Sequence, residues 1–157
     1  MTMVPGFGRK IFRVTTVATA IAAPALMLLP HASALAGVRV IKSVSSGNCV
    51  ESHHHAVDIS PCRDISDQRW EIEGSTIKNL SADECLESDY NGSHLTLSPC
   101  RDLSSQRWEI AGATIKDVSS GSCLESAYNG SRVRLAECRD VTSQKWELRD
   151  APPRPAK

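Results

Sequence analysis

Short stretches in which apolar and polar residues alternate recur along the chain. Clear examples are His94–Leu97, Arg132–Leu135 and Trp146–Leu148. Because successive side chains of a strand point to opposite faces, a period of two predicts β-strands with one buried face. Asn91-Gly92 and Asn129-Gly130 precede or follow such stretches and are typical of tight hairpin turns. The pattern therefore predicts short strands joined by turns, and no helix.

The strands belong to a unit that occurs three times. A Gln-x-Trp motif recurs with a period of 38 residues, and each tryptophan lies eight residues after the cysteine of a Cys-Arg-Asp triplet. An Ile-Lys pair lies eight residues before the other cysteine of each unit. Internal repeats of this length indicate one supersecondary unit per copy. The motifs are Gln68-Arg69-Trp70, Gln106-Arg107-Trp108 and Gln144-Lys145-Trp146.

The three copies cover residues 38–74, 75–112 and 113–150. Each holds about four short strands, and a unit of this size cannot bury its apolar face alone. Three equal units are fewer than the blades of the usual propeller. We therefore predict an all-β β-trefoil with pseudo-threefold symmetry. Its core anchors are expected to be Trp70, Trp108 and Trp146.

The two ends of the chain differ from the repeats. Residues 1–36 carry three basic residues, then an apolar run, then Ala34-Leu35-Ala36, which is typical of a secretion signal with cleavage after Ala36. Cleavage after Ala34 and retention as an N-terminal anchor are the alternatives. Residues 151–157 contain three prolines, and we expect them to form a disordered tail. The sequence thus predicts a secreted, extracellular protein.

All six cysteines follow the predicted signal, two in each copy. An even number of cysteines in a small secreted chain is typical of a disulfide framework. If the copies fold alike, the simplest symmetric pairing lies within each copy, although symmetric pairing between copies stays open. The predicted bonds are Cys49–Cys62, Cys85–Cys100 and Cys123–Cys138.

The charge of the chain argues against several classes of partner. The full chain has 18 basic and 18 acidic residues, and without residues 1–36 it has 15 and 18, a net charge of −3. We expect no nucleic acid and, after signal cleavage, no membrane as partner. No nucleophile or metal-ligand pattern is present, so we expect a protein that is not an enzyme and needs no cofactor or metal. We also expect a monomer. His53-His54-His55 is interpreted as a solvated loop.

The threefold Gln-x-Trp motif, with Cys-Leu upstream in copies two and three and Cys-Val in copy one, resembles the ricin-B-type β-trefoil lectin domain over residues 38–150. Within that family, Leu86–Gly92 and Leu124–Gly130 are most similar to the actinohivin-like actinomycete lectins. The resemblance implies a secreted carbohydrate-binding module with one shallow sugar site per repeat. An acid after the first cysteine, an aromatic ring and nearby polar side chains would contact the sugar. Candidates are Glu87, Tyr90, Asn91, Arg101 and Gln106 in copy two, and Glu125, Tyr128, Asn129, Arg139 and Gln144 in copy three.

The chain also departs from the family pattern. The acid is glutamate instead of aspartate, and arginine follows the second cysteine where the family has asparagine. An ion pair between Glu87 and Arg101, or Glu125 and Arg139, is therefore the alternative to sugar contact. The alternative function is a β-trefoil that has lost sugar binding and instead binds or inhibits a protein. A structural protein without a ligand is a third option.

Overall fold

The computed structural model describes residues 37–89, 91, 94–127 and 132–153. In this part of the chain it contains twelve β-strands and three turns of 3₁₀ helix, with no α-helix. The predicted signal and residues 154–157 lie outside the described residues. The strands are β1 Gly37–Ser43, β2 Cys49–His53, β3 Ala56–Ser60, β4 Trp70–Glu73, β5 Thr76–Asn79, β6 Glu84–Ser88, β7 Leu95–Ser98, β8 Trp108–Ala111, β9 Thr114–Asp117, β10 Cys123–Ser126, β11 Val133–Ala136 and β12 Trp146–Asp150.

Six of the strands form a closed barrel. Antiparallel pairing joins β12 to β1, β1 to β4, β4 to β5 and β8 to β9. The two remaining seams are joined by single backbone bonds, from Trp108 N to Ser75 O (2.7 Å) and from Trp146 N to Ala113 O (2.8 Å). Each copy contributes its first and last strand. These two bonds complete the ring of six strands.

The other six strands form three hairpins, β2–β3, β6–β7 and β10–β11, one from each copy. A one-turn 3₁₀ helix follows each hairpin and leads into the last barrel strand of the copy. The 3₁₀ turns are Ser66–Gln68, Ser104–Gln106 and Thr142–Gln144. This threefold arrangement of four strands per copy confirms the predicted β-trefoil.

The three repeat tryptophans lie in the core, with 0%, 1% and 2% of their surface exposed for Trp70, Trp108 and Trp146. Each indole nitrogen donates to the backbone carbonyl of the residue that follows the first cysteine of its copy, namely Val50, Leu86 or Leu124, over 2.9–3.0 Å. Burying one such ring removes roughly 150–250 Å² from water, about 4–6 kcal/mol before entropy is counted. The same bond ties the barrel to the hairpin.

The disulfides pair within the copies as predicted: Cys49–Cys62, Cys85–Cys100 and Cys123–Cys138. The Cα atoms are 4.9 Å apart in every pair. Each bond joins the start of a hairpin to the loop that follows it. The residue after the second cysteine, an arginine in every copy, is thereby held beside the hairpin.

The first residue of the predicted tail is still bonded to the barrel. Ala151, placed in the predicted tail, still donates its backbone N–H to Val38 O over 3.1 Å, because it extends the pairing of β12 with β1. Within the described part of the chain, no helical segment has the length and apolar character of a membrane span.

Candidate functional site

In every copy the glutamine of the Gln-x-Trp motif holds the glutamate that follows the first cysteine. Gln68 Nε2 donates to Glu51 Oε2 over 2.6 Å. The equivalent distances are 2.8 Å from Gln106 to Glu87 and 2.7 Å from Gln144 to Glu125. The repeat therefore places one oriented carboxylate beside each hairpin.

The same glutamines also close the loop after the second cysteine. Gln106 Oε1 accepts the backbone N–H of Arg101 over 2.6 Å, and its Nε2 donates to Pro99 O over 3.0 Å as well as to Glu87. The glutamines of copies one and three make the same bonds. Because both amide N–H groups donate to these partners and the amide oxygen accepts from the loop, each glutamine supports the loop and orients the acid.

The carboxylate of copy one is closed by a single arginine. Arg63 Nη2 donates to both oxygens of Glu51, over 2.7 and 2.8 Å. Asp58 lies directly opposite Glu51 in the hairpin. Like charges facing each other on a sheet destabilise it, so Arg63 also offsets the repulsion between the two acids.

The carboxylate of copy three is closed by two arginines. Arg139 Nη2 donates to Glu125 Oε2 over 2.9 Å, as the sequence alternative proposed. Arg134, which the sequence analysis did not single out, donates to Glu125 Oε1 from Nη2 (2.6 Å) and from Nε (3.2 Å). Arg134 is the residue opposite Glu125 in the hairpin. Its presence beside the acid is visible only once the strand register is known.

The carboxylate of copy two is the least enclosed. Arg101 Nη2 lies 3.5 Å from Glu87 Oε2, at the limit of a hydrogen bond. Glu87 Oε1 accepts a long bond of 3.3 Å from Ser105 Oγ. The residue opposite in the hairpin is Thr96, which is uncharged. The side chain of Glu87 is 15% exposed, against 11% for Glu51 and 4% for Glu125.

The three glutamates are ionised acids held in place by donors. Burial alone would raise the pKa of each carboxyl. In Glu125, hydrogen bonds from Arg134, Gln144 and Arg139 outweigh that effect and lower the pKa. The pKa of Glu87 is lowered against the same burial effect by hydrogen bonds from Gln106 and serines and by the charge of Arg101. The pKa of Glu51 is lowered in the same way by Arg63 and Gln68.

A polar cleft of about 470 Å³ opens beside Glu87. It lies between the β6–β7 hairpin, the 3₁₀ turn of copy two and the turn after β9 of copy three. Asn91, exposed at the hairpin, also lines the cleft. The rest of its lining consists of two acids and five serines, namely Glu87, Asp89, Ser88, Ser104, Ser105, Ser119 and Ser120.

Asp117, a fully buried acid, fixes the side of the cleft that copy three contributes. Sequence reasoning did not identify this residue. Its Oδ2 accepts the hydroxyls of Ser119 (2.8 Å) and Ser120 (2.7 Å). Both hydroxyl hydrogens are thereby used, so these serine oxygens face the cleft as acceptors. Asn79 and Ser43 occupy the equivalent buried positions. The available signal was a polar residue directly after Ile-Lys in all three copies.

The structure brings together the polar side chains named for each of the two predicted sites: Glu87 with Arg101 and Gln106, and Glu125 with Arg139 and Gln144. Tyr90, Tyr128 and Asn129 lie outside the described residues.

The histidine stretch is exposed, as predicted for a solvated loop. His55 Nδ1 lies 3.0 Å from Glu84 Oε2. The described residues contain no group of three or more His, Cys, Asp or Glu side chains placed to hold a metal ion.

Comparison with known proteins agrees with the observed β-trefoil. The sequence model of the "ricin-type beta-trefoil lectin domain" matches residues 37–150. This chain belongs to that family. No curated protein matches the sequence.

Solved structures show the same fold at low identity. One is the β-trefoil lectin of the Vibrio vulnificus hemolysin/cytolysin with N-acetyl-D-lactosamine bound (TM-score 0.66, 14% identity, 76% of this chain and 98% of that chain). Another is the C-half of the earthworm R-type lectin in complex with GalNAc (TM-score 0.62, 14% identity, 72% and 98%). GalNAc-T7, with UDP, GalNAc and Mn²⁺, matches with TM-score 0.64 and 21% identity over 73% of this chain, which spans only 23% of that chain.

Proposed function

We propose that this protein is a secreted carbohydrate-binding module whose sugar site is the cleft of copy two. The observation that carries the proposal is the state of Glu87. Its Oε1 accepts a long bond from Ser105, Ser98 is a second hydroxyl donor to the carboxylate, and Oε2 is fixed by Gln106, whereas no arginine of the described residues lies closer than 3.5 Å. An oriented, ionised and incompletely bonded carboxylate at the wall of a cleft suits the hydroxyl donors of a sugar.

The remainder of the cleft supports the same ligand class. Glu87, Ser119 and Ser120 contribute acceptor oxygens to the cleft, whereas the Asp89 carboxylate already accepts the backbone N–H of His94 over 3.1 Å. The cleft therefore favours a ligand rich in hydrogen-bond donors. None of the lining residues named above is aromatic. We therefore expect recognition by hydrogen bonds and a low affinity for a single sugar unit.

The family supports carbohydrate binding as the general function. Two structural neighbours hold N-acetyl-D-lactosamine or GalNAc, and these sugars are the first ligands to test. The likeness of residues 86–92 and 124–130 to the actinohivin-like lectins stays a prediction. So does secretion, which the three disulfides favour because such bonds persist in oxidising compartments.

The decisive experiment is a glycan array probed with the oxidised protein and two matched variants. Glu87→Gln keeps the size of the side chain and removes its charge, so it should abolish binding. Glu51→Gln is the same change at a carboxylate already closed by Arg63, so binding should persist. Circular dichroism checks that both variants fold. Equal binding by wild type and a folded Glu87→Gln protein would contradict the assignment of the site.

Binding of a protein is the second candidate, because the carboxylates of copies one and three are already occupied by arginines. An array without signal, together with one protein recovered specifically from secreted material, would favour it.

A further inference from the structure

The residue opposite the glutamate differs in the three hairpins. Glu51 faces Asp58, Glu87 faces Thr96, and Glu125 faces Arg134. These positions are equivalent under the pseudo-threefold symmetry. The three copies thus hold the same acid with an acidic, a neutral or a basic neighbour, and the state of each carboxylate differs accordingly.

Arg134 supplies the hydrogen bonds that one oxygen of Glu125 accepts from the described residues. Among the described residues, the donors to Glu125 Oε1 are Nη2 and Nε of Arg134. The other oxygen, Oε2, accepts from Gln144 and Arg139. In copy two the corresponding Oε2 is likewise held by Gln106 and approached by Arg101. Removing Arg134 would therefore take away both of these donors to Glu125 Oε1, an oxygen whose counterpart in Glu87 accepts a long bond of 3.3 Å from Ser105 Oγ.

The surroundings of Glu125 retain the hydroxyls that line the cleft of copy two. Each of the five serines of the copy-two cleft has a hydroxyl residue at the equivalent position around Glu125. Ser126 corresponds to Ser88, and Thr142 and Ser143 correspond to Ser104 and Ser105. Ser45 and Ser46 correspond to Ser119 and Ser120. Ser45 Oγ lies 2.7 Å from Ser126 Oγ, as Ser119 Oγ lies 3.2 Å from Ser88 Oγ. The turn containing Ser45 and Ser46 comes from copy one and reaches the left-handed backbone region at Gly47, as the turn of copy three does at Gly121.

The guanidinium of Arg134 resembles a bound ligand in its contacts. It is planar, offers several N–H donors and directs two of them at the carboxylate, which is the interaction expected of sugar hydroxyls. The Arg134 side chain is 55% exposed while that of Glu125 is 4% exposed, so the arginine lies between the acid and solvent.

Copy one lacks this relationship, because its acid is closed by Arg63 on both oxygens and lies opposite another acid. A single substitution at the opposite position would not free Glu51. Copy three is therefore the place where one residue separates a closed site from an open one.

We infer that Arg134 closes a second carbohydrate site at Glu125, and that replacing it with the threonine of copy two opens that site. This inference rests on the proposed function, because it assumes that the Glu87 cleft binds a sugar. It makes Arg134 a determinant of how many ligands the protein holds.

The test is made in the Glu87→Gln background, in which the cleft of copy two is expected not to bind sugar. The probe is an array of neutral monosaccharides and oligosaccharides that includes GalNAc and N-acetyl-D-lactosamine. Glu87→Gln alone should give no signal. Glu87→Gln combined with Arg134→Thr should restore binding to within about tenfold of the wild-type apparent Kd. Arg132→Thr in the same background removes an exposed arginine near the same strand and should restore nothing.

A folded double variant that binds nothing, while the wild type binds, overturns the inference and leaves the proposed function standing. A wild type that binds nothing while the double variant binds supports the inference and moves the functional site to copy three. The absence of glycan binding by the wild type and by every variant overturns both proposals. If the threonine variant fails to fold, Arg134→Gln replaces it, with the same expected gain and the same contradicting result.

Discussion

Gln106 and Glu87 are joined by a hydrogen bond of 2.8 Å from Nε2 to Oε2, and the same pair recurs in the other two copies. The motif glutamine is thus linked both to the acid and, two residues on, to the tryptophan of the core. Gln-x-Trp couples the position of the hairpin carboxylate to the packing of the barrel. This explains why the motif keeps both polar and aromatic members in each copy.

Replacing Gln106 with leucine is expected to destabilise the fold and disturb the site together. The change removes the bonds to Glu87, Arg101 N and Pro99 O and leaves buried polar groups without partners. We expect a loss of about 2–3 kcal/mol in the free energy of unfolding, measured by urea denaturation. Ser104→Ala, in the same 3₁₀ turn, is the control and should change stability by less than about 0.5 kcal/mol. Equal stability of wild type and the leucine variant would contradict the role given to Gln106.

Acidification should destabilise the protein through its three glutamates. Their folded pKa values are lowered, while in the unfolded chain a glutamate titrates near about 4.3. The unfolded state therefore binds more protons at acid pH. The stabilising contribution is complete above the unfolded pKa and is lost as the pH falls through the folded pKa. The free energy of unfolding, measured from about pH 6 towards pH 3, should decline.

Glu125→Gln should make that decline less steep, since the amide cannot be protonated in this range. Its stability at neutral pH should be lower than that of wild type by about 2 kcal/mol, because bonds to a charged acceptor are weakened. An unchanged slope below about pH 4.3 in this variant would show that Glu125 is not among the groups responsible.

Asp117 is expected to be essential for the wall of the copy-two cleft although it lies in copy three. Asp117→Ala removes the acceptor for the hydroxyls and backbone N–H groups of Ser119 and Ser120. We expect roughly 3 kcal/mol of destabilisation and weaker glycan binding. Asp140→Ala, at an acid that is 94% exposed, should stay within about 0.5 kcal/mol of wild type. Similar effects of the two substitutions, followed by thermal unfolding and glycan titration, would contradict this account.

Most of the fold could be predicted from the sequence because it is encoded three times. The period of Gln-x-Trp, the paired cysteines and the alternating strands each point to the same unit. The burial of Trp70, Trp108 and Trp146 follows from the same pattern, since tryptophan is the aromatic residue that occurs in all three copies. A fold can be predicted from its sequence when local patterns, such as strand alternation, agree with the repeat along the whole chain.

The state of each site could not be predicted, because it depends on register and distance. In the sequence Glu87 and Glu125 are equivalent, because each has one arginine after the second cysteine of its copy. The structure separates them, since Arg134 faces Glu125 across the hairpin whereas Thr96 faces Glu87. Asp117 was missed for a related reason: its bonds form within a turn, and the turn belongs to the neighbouring copy's cleft.

The central claim is that, of the three equivalent glutamates, only Glu87 is open to a ligand. Nuclear magnetic resonance tests it most directly, by a ligand titration that follows the side-chain carboxyl carbons. The titrant is the glycan that gives the strongest array signal. We expect the Glu87 carboxyl resonance to move and saturate with the binding curve, while those of Glu51 and Glu125 stay in place. Movement of the Glu51 or Glu125 resonance with Glu87 unchanged would contradict the account.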